Sequence, residues 1–138
     1  MSMPAVFFTA SDDDAANVEF DHNLPAGDYV EVGGIGILEL SLLWAVVESK
    51  GWDVVLMDAF QELKSTSSDW TYRLPDGLTH QIERLREPEL ERVAREWTAA
   101  EGMDCRPEEA KRLLVAIAPV ARRANRTGRG LFILNTCL

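Results

Sequence analysis

Cysteine and histidine are scarce in this 138-residue chain, which contains two of each. Cys105 and Cys137 form no CxxC pair, and neither His22 nor His80 lies at a chelating spacing from them. Zinc sites need three or four such ligands, arranged in recognisable pairs. The sequence therefore predicts no zinc or iron centre, no Cys105–Cys137 disulfide and no bound cofactor.

Long apolar runs are also missing. The longest nearly apolar stretch extends from residue 35 to residue 47 and contains Glu39 and Ser41, whereas a membrane-spanning helix needs about 20 apolar residues. Residues 1–10 include no Lys or Arg, and their apolar part is too short for the core of a secretory signal. We therefore expect no membrane association and a cytoplasmic location, in which both cysteines stay reduced.

One glycine-rich turn is a candidate for ligand binding. Gly33–Gly36 stands between a predicted strand and a predicted helix, a position typical of phosphate loops. The third glycine of G-x-G-x-x-G is replaced by Glu39, whose carboxylate would repel a phosphate. No Gly-Lys-Ser/Thr sequence or G-x-S-x-G elbow is present either. The turn is thus predicted to be structural. Glu39 is a weak candidate for a catalytic acid or base, and its alternative roles are to face solvent or to cap nearby backbone amides.

Hydrophobic patterning predicts the α+β class, as one domain over residues 1–138. Residues 5–9 and 131–134 are apolar on both faces and predict central strands, and residues 29–32 alternate like a strand. Residues 37–47 are apolar almost all round a helix, which predicts a buried helix. We expect a small sheet formed by strands near both termini, packed against four to six helices.

The remaining segments are assigned from apolar spacing and from proline. Residues 55–63 carry a helical stripe, and residues 70–74 alternate as a short extended segment. Pro75, Pro88 and Pro107 are each predicted to stand at the start of a helix.

The four tryptophans have different expected roles. Trp44 and Trp97 fall in helical stripes and are predicted to lie in the core, and Trp52 is predicted to pack under a turn. Trp70 and Tyr72 are the one candidate for an exposed pair, and exposed Trp and Tyr often anchor protein interfaces. The alternative is that both are strand residues covering a small core.

Charge is distributed unevenly along the chain. Residues 1–69 contain 13 acidic and two basic residues, a net charge of −11, whereas residues 70–138 have a net charge of +2. Seven acids without any Lys or Arg lie between positions 12 and 31, and we call them the acidic run: Asp12, Asp13, Asp14, Glu19, Asp21, Asp28 and Glu31. An acidic surface attracts basic proteins and disfavours nucleic acid. Alternatively, the run is partly neutralised within the fold by Arg122, Arg123, Arg126 and Arg129.

These observations favour a non-catalytic protein-binding domain. We expect it to use the acidic run, together with Trp70 and Tyr72, to bind a basic protein, as an inhibitor or antitoxin does when it masks a basic site. The first alternative is a small enzyme or ligand-binding protein that uses the Gly33–Gly36 turn and Glu39. The second is an obligate homo-oligomer whose apolar excess forms an interface. A pocket at Glu39 would favour the first alternative, and a continuous acidic face would favour protein binding.

Overall fold

A five-stranded antiparallel sheet is the frame of the computed structural model, which describes residues 4–19, 29–66, 68–100 and 103–136. The strands are β1 (Pro4–Ala10), β2 (Tyr29–Gly33), β3 (Gln61–Ser65), β4 (Asp69–Arg73) and β5 (Gly130–Thr136). Their order across the sheet is β2-β1-β5-β4-β3. The helices in the described residues are α1 (Asp12–Ala15), α2 (Ile37–Val47), α3 (Val55–Asp58), α4 (Asp76–Arg84), α5 (Glu87–Thr98) and α6 (Pro107–Thr127). The predicted α+β class, with strands near both termini, is confirmed.

The two apolar runs pair at the centre of the sheet. β1 is antiparallel to β5, from Ala5 opposite Asn135 to Ala10 opposite Gly130. Every residue of β5 is buried, as expected for a strand that is apolar on both faces. The rings of Phe8 and Phe132 stack across this pair with their centroids 5.4 Å apart.

Each face of the sheet has its own core. On one face, Phe7 and Ile133 pack with buried residues of α2, α4, α5 and α6. On the other, Phe8 and Phe132 pack with Ala15 of α1 and the neighbouring Val18. The sheet is thus an inner layer, which explains why its central strands lack a polar side.

Local capping fixes the ends of the elements around the functional surfaces. Ser11 Oγ accepts a hydrogen bond from the Asp14 amide at 3.2 Å and so caps α1. Gly128 ends α6 with a left-handed φ of +69°, a conformation that glycine adopts without steric cost. The Trp97 indole of α5 donates to the Glu39 carbonyl at 2.9 Å and joins that helix to α2.

Two local predictions are wrong. The helix predicted over residues 55–63 ends at Asp58, and the chain continues as β3, which pairs with β4 from Gln61 opposite Arg73 to Ser65 opposite Trp70. Backbone pairing with β4 overrides the helical spacing of its apolar residues. Trp52, expected to pack under a turn, is exposed. None of the described helices is both long and apolar enough to cross a bilayer.

Candidate functional site

The Gly33–Gly36 turn opens onto a groove of about 700 Å³, which we call the Glu39 groove. The end of β2, the start of α2, the start of α6 and the residues before α6 form its walls. The lining residues are Val32, Gly33, Gly34, Ile35, Glu39, Met103, Asp104, Cys105, Glu109, Arg112 and Leu113. Its size falls within the usual range of small-molecule sites, about 300–1,000 Å³.

Glu39 has a structural task in this groove. Its Oε1 accepts a hydrogen bond from the Gly36 amide at 2.7 Å, which caps the N-terminus of α2. This confirms the capping alternative for Glu39. The carboxylate occupies the backbone donor that a phosphate would need, so the turn is already satisfied by an anion of its own chain.

The other ionisable groups of the groove do not form a catalytic set. Burial, and then the carboxylates of Glu109 and Asp104, raise the pKa of the Cys105 thiol, which therefore stays protonated and weakly nucleophilic near neutral pH. Cys105 is a free thiol, and Cys137 lies outside the described residues. Among the residues that the structure describes, no three His, Cys, Asp or Glu side chains lie together as a metal site.

A second candidate surface is the exposed apolar patch beside α2 and α3, which we call the Trp52 patch. It consists of Leu38, Trp52, Val54 and Val55, all of which are exposed. The Trp52 indole donates to Ser41 Oγ at 2.9 Å, and Ser41 Oγ donates to the Leu38 carbonyl at 2.6 Å. These two bonds place the Trp52 ring beside the first turn of α2.

The stretch of sequence that carries most of the Trp52 patch is acidic. Between positions 37 and 63 the only basic residue is Lys50, against five acids: Glu39, Glu48, Asp53, Asp58 and Glu62. The Lys50 ammonium lies over the Trp44 ring, 4.8 Å from its centroid. Sequence reasoning missed this patch because Val55 fits a helical stripe. In the structure α3 begins only at Val55 and has four residues, which leaves both Val54 and Val55 exposed.

The acidic run is only partly available to a partner. Asp12 forms an ion pair with Arg73 at 2.6 Å, and Arg73 also contacts Asp76 at 3.2 Å. The expected partial neutralisation thus occurs at Asp12, where Arg73 supplies it. All five described members of the run are exposed, and four of them, Asp13, Asp14, Glu19 and Glu31, form no ion pair with a described residue. Asp21 and Asp28 lie outside the described residues, as does His22.

Trp70 and Tyr72 are strand residues with partly buried side chains. Both belong to β4, and Tyr72 packs against the helix-covered core. The Tyr72 hydroxyl lies 3.4 Å from Glu62 Oε1 across the β3–β4 pair. Burial, with the Glu62 charge as the next cause, raises the pKa of Tyr72. Their partial burial fits the favoured alternative, strand residues at the edge of a core, better than full exposure.

No protein-family model, curated protein or solved structure matches this chain.

Proposed function

We propose that this protein is a non-catalytic protein-binding domain whose partner is basic. The observation that carries the proposal is the Trp52 patch. Val54 and Val55 are 62% and 59% exposed, and Trp52 is 43% exposed. Exposed apolar clusters with a charged surround are typical of protein interfaces. The acidic local sequence, in a chain of net charge −9, favours a partner with an apolar contact surface and a basic rim.

The hydrogen bonds of Trp52 suit it to an interface. Tryptophan is enriched among the residues that contribute most to binding. Because the indole already donates to Ser41, its orientation is fixed before a partner arrives, and less side-chain entropy is lost on binding. The exposed acids of the acidic run are the second part of the proposal. They act at longer range, where they accelerate encounter with a basic protein.

A matched pair of variants tests the Trp52 patch. Tyr29 on β2 is 40% exposed, nearly the same as Trp52, and lies beside Glu31 of the acidic run. Wild-type, Trp52→Ala and Tyr29→Ala proteins are used for parallel captures from native lysate, and binding of each captured protein is then measured kinetically. We expect a basic partner that dissociates about 10- to 30-fold faster from the Trp52→Ala variant and at the wild-type rate from Tyr29→Ala.

Two results would count against this surface. A partner that dissociates faster from Tyr29→Ala than from Trp52→Ala would move the interface to the acidic run. A wild-type chain that forms dimers, with Trp52→Ala monomeric, would assign the patch to self-association. Like net charges of −9 on two copies oppose that second result.

The Glu39 groove supports a second candidate function, the binding of a small cationic molecule. Asp104 and Glu109 line it with Glu39, and Arg112 is its only lining cation. A calorimetric titration with spermidine would show binding that is weakened in Glu109→Gln and unchanged in Glu108→Gln, which alters a neighbouring acid outside the groove. Equal binding to both variants would exclude a specific site.

A further inference from the structure

A groove between the α4–α5 turn and the middle of α6 is lined by two arginines, whereas the charged residues that line the Glu39 groove are mainly acids. We call it the Val115 groove. It has a volume of about 430 Å³ and is lined by Leu85, Arg86, Glu87, Leu90, Val115, Ala118 and Arg122. Leu85, Leu90 and Ala118 are buried and form an apolar floor, whereas Val115 is 50% exposed. The groove thus offers apolar contact to a side chain from outside the fold.

Two arginines line this groove without ion pairs in the described part of the chain. Arg86 donates to the backbone carbonyls of Glu83 and Leu85, at 3.2 and 3.3 Å, and not to a described carboxylate. Arg122 is exposed and forms no ion pair with a described carboxylate. This is notable in a chain with 23 acidic and 14 basic residues, where acidic partners are abundant.

The one acid among the lining residues, Glu87, is ion-paired within the chain. Glu87 forms an ion pair with Lys111 at 3.0 Å, and Lys111 also contacts Glu91 at 3.3 Å. The carboxylate of Glu83, on the preceding helix, accepts a hydrogen bond from the Asn125 amide. Of the charged groups that line the groove, the guanidinium groups of Arg86 and Arg122 are the ones without an ion pair in the described residues.

We propose that the Val115 groove binds an acidic peptide segment of another protein. An apolar side chain of the segment fills the space over Leu90 and Val115, and flanking carboxylates pair with Arg86 and Arg122. Guanidinium groups match carboxylates with two parallel hydrogen bonds, which gives such contacts both strength and direction. The site is distinct from the Trp52 patch and does not depend on the function proposed for that patch.

Peptide selection tests this assignment without knowledge of the natural partner. Random peptides of about twelve residues, long enough for groove recognition, are displayed on phage and selected on the wild-type protein. Enriched peptides are synthesised with a fluorophore, and their affinity is measured by anisotropy. The Arg86→Glu/Arg122→Glu variant removes the groove cations. The Arg84→Glu/Arg126→Glu variant is the matched control, because it makes the same charge change at two exposed arginines outside the groove.

The proposal predicts enriched peptides that combine Asp or Glu with large apolar residues. Their affinity should fall at least about tenfold, or roughly 1.4 kcal/mol, in the groove variant and much less in the control variant. Circular dichroism verifies that both variants fold. Enrichment of neutral or basic peptides, or equal losses in both variants, would overturn the proposal. Two further results would also overturn it. One is a wild-type protein that forms dimers while the groove variant is monomeric. The other is a wild-type protein that sediments with phosphatidylserine vesicles when the groove variant alone does not.

Discussion

The ion pair between Arg73 and Asp12 determines whether Asp12, at the start of the acidic run, stabilises the fold or is free to contact a partner. Arg73 is the more buried member, with 26% of its side chain exposed against 54% for Asp12. Its guanidinium carbon also lies 5.9 Å from the centroid of the Phe132 ring. Because Asp12 is half in water, its pairing with Arg73 is worth only about 0.5–1 kcal/mol, and the cation–π contact adds about 0.5–1 kcal/mol. Arg73→Ala should thus lower the free energy of unfolding by about 1–2 kcal/mol.

A double-mutant cycle in urea separates these contributions. Arg73→Ala, Asp12→Ala and the double variant should give a coupling energy of about 0.5–1 kcal/mol. The control is Asp13→Ala, since Asp13 is exposed and contributes to no ion pair in the described residues. Its cost should stay within about 0.5 kcal/mol. Additive effects of Arg73→Ala and Asp12→Ala, or an equal cost for Asp13→Ala, would refute the view that Asp12 is committed to the fold.

Two further predictions concern the core and the free thiol. Leu43 is fully buried in α2, so Leu43→Ala should cost about 2–5 kcal/mol in urea unfolding. Leu38→Ala on the exposed side of the same helix should cost far less, and similar losses would contradict the orientation of α2. In a Cys137→Ser background, Cys105 should react with iodoacetamide more slowly at pH 8 in the folded than in the urea-unfolded protein, because its pKa is raised. For the same reason, its contribution to folding stability is present below the ordinary thiol pKa and is lost as pH rises above that value. Equal alkylation rates in the two states would disprove the shift.

The sheet was predictable where an apolar run has no polar face that could lie against solvent. Residues 5–9 and 131–134 have no polar side that could face water, so both had to be central, and they pair with each other. β3 was not predictable in the same way. Gln61, Glu62 and Lys64 are polar, and the spacing of Phe60 and Leu63 continued a helical stripe. Only pairing with β4 decides its conformation, and pairing is not a property of the local sequence.

The candidate surfaces were less predictable than the fold. Glu39 and the Gly33–Gly36 turn were found from sequence because they are neighbours in the chain. Asp104 and Arg112 line the same groove although they lie more than 60 positions away in the chain. No local sequence pattern predicts that they are close to Glu39. The Val115 groove was missed for the same reason, since Arg86 and Arg122 are separated by all of α5.

The central pairing of β1 with β5 determines when the sheet can be completed during synthesis. Thr9 donates its hydroxyl hydrogen to the carbonyl of Gly130, 121 residues later. During synthesis the apolar faces of β1 must therefore wait until almost all described residues have been made, and at about 5–20 residues per second that delay lasts several seconds. Until then Phe7 can pack only against β2 and the helices made before β5, and Phe8 lacks the Phe132 ring that stacks on it. A chain interrupted before β5 would expose the middle of the sheet rather than its margin, and such a fragment is a natural substrate for chaperones and proteases. The same pairing places the start of β1 and the end of β5 at the same end of one strand pair, across a narrow gap where Ala5 faces Asn135. A short linker across that gap, with new ends opened in an exposed turn elsewhere, would allow the central pair to form as a local hairpin and should accelerate folding.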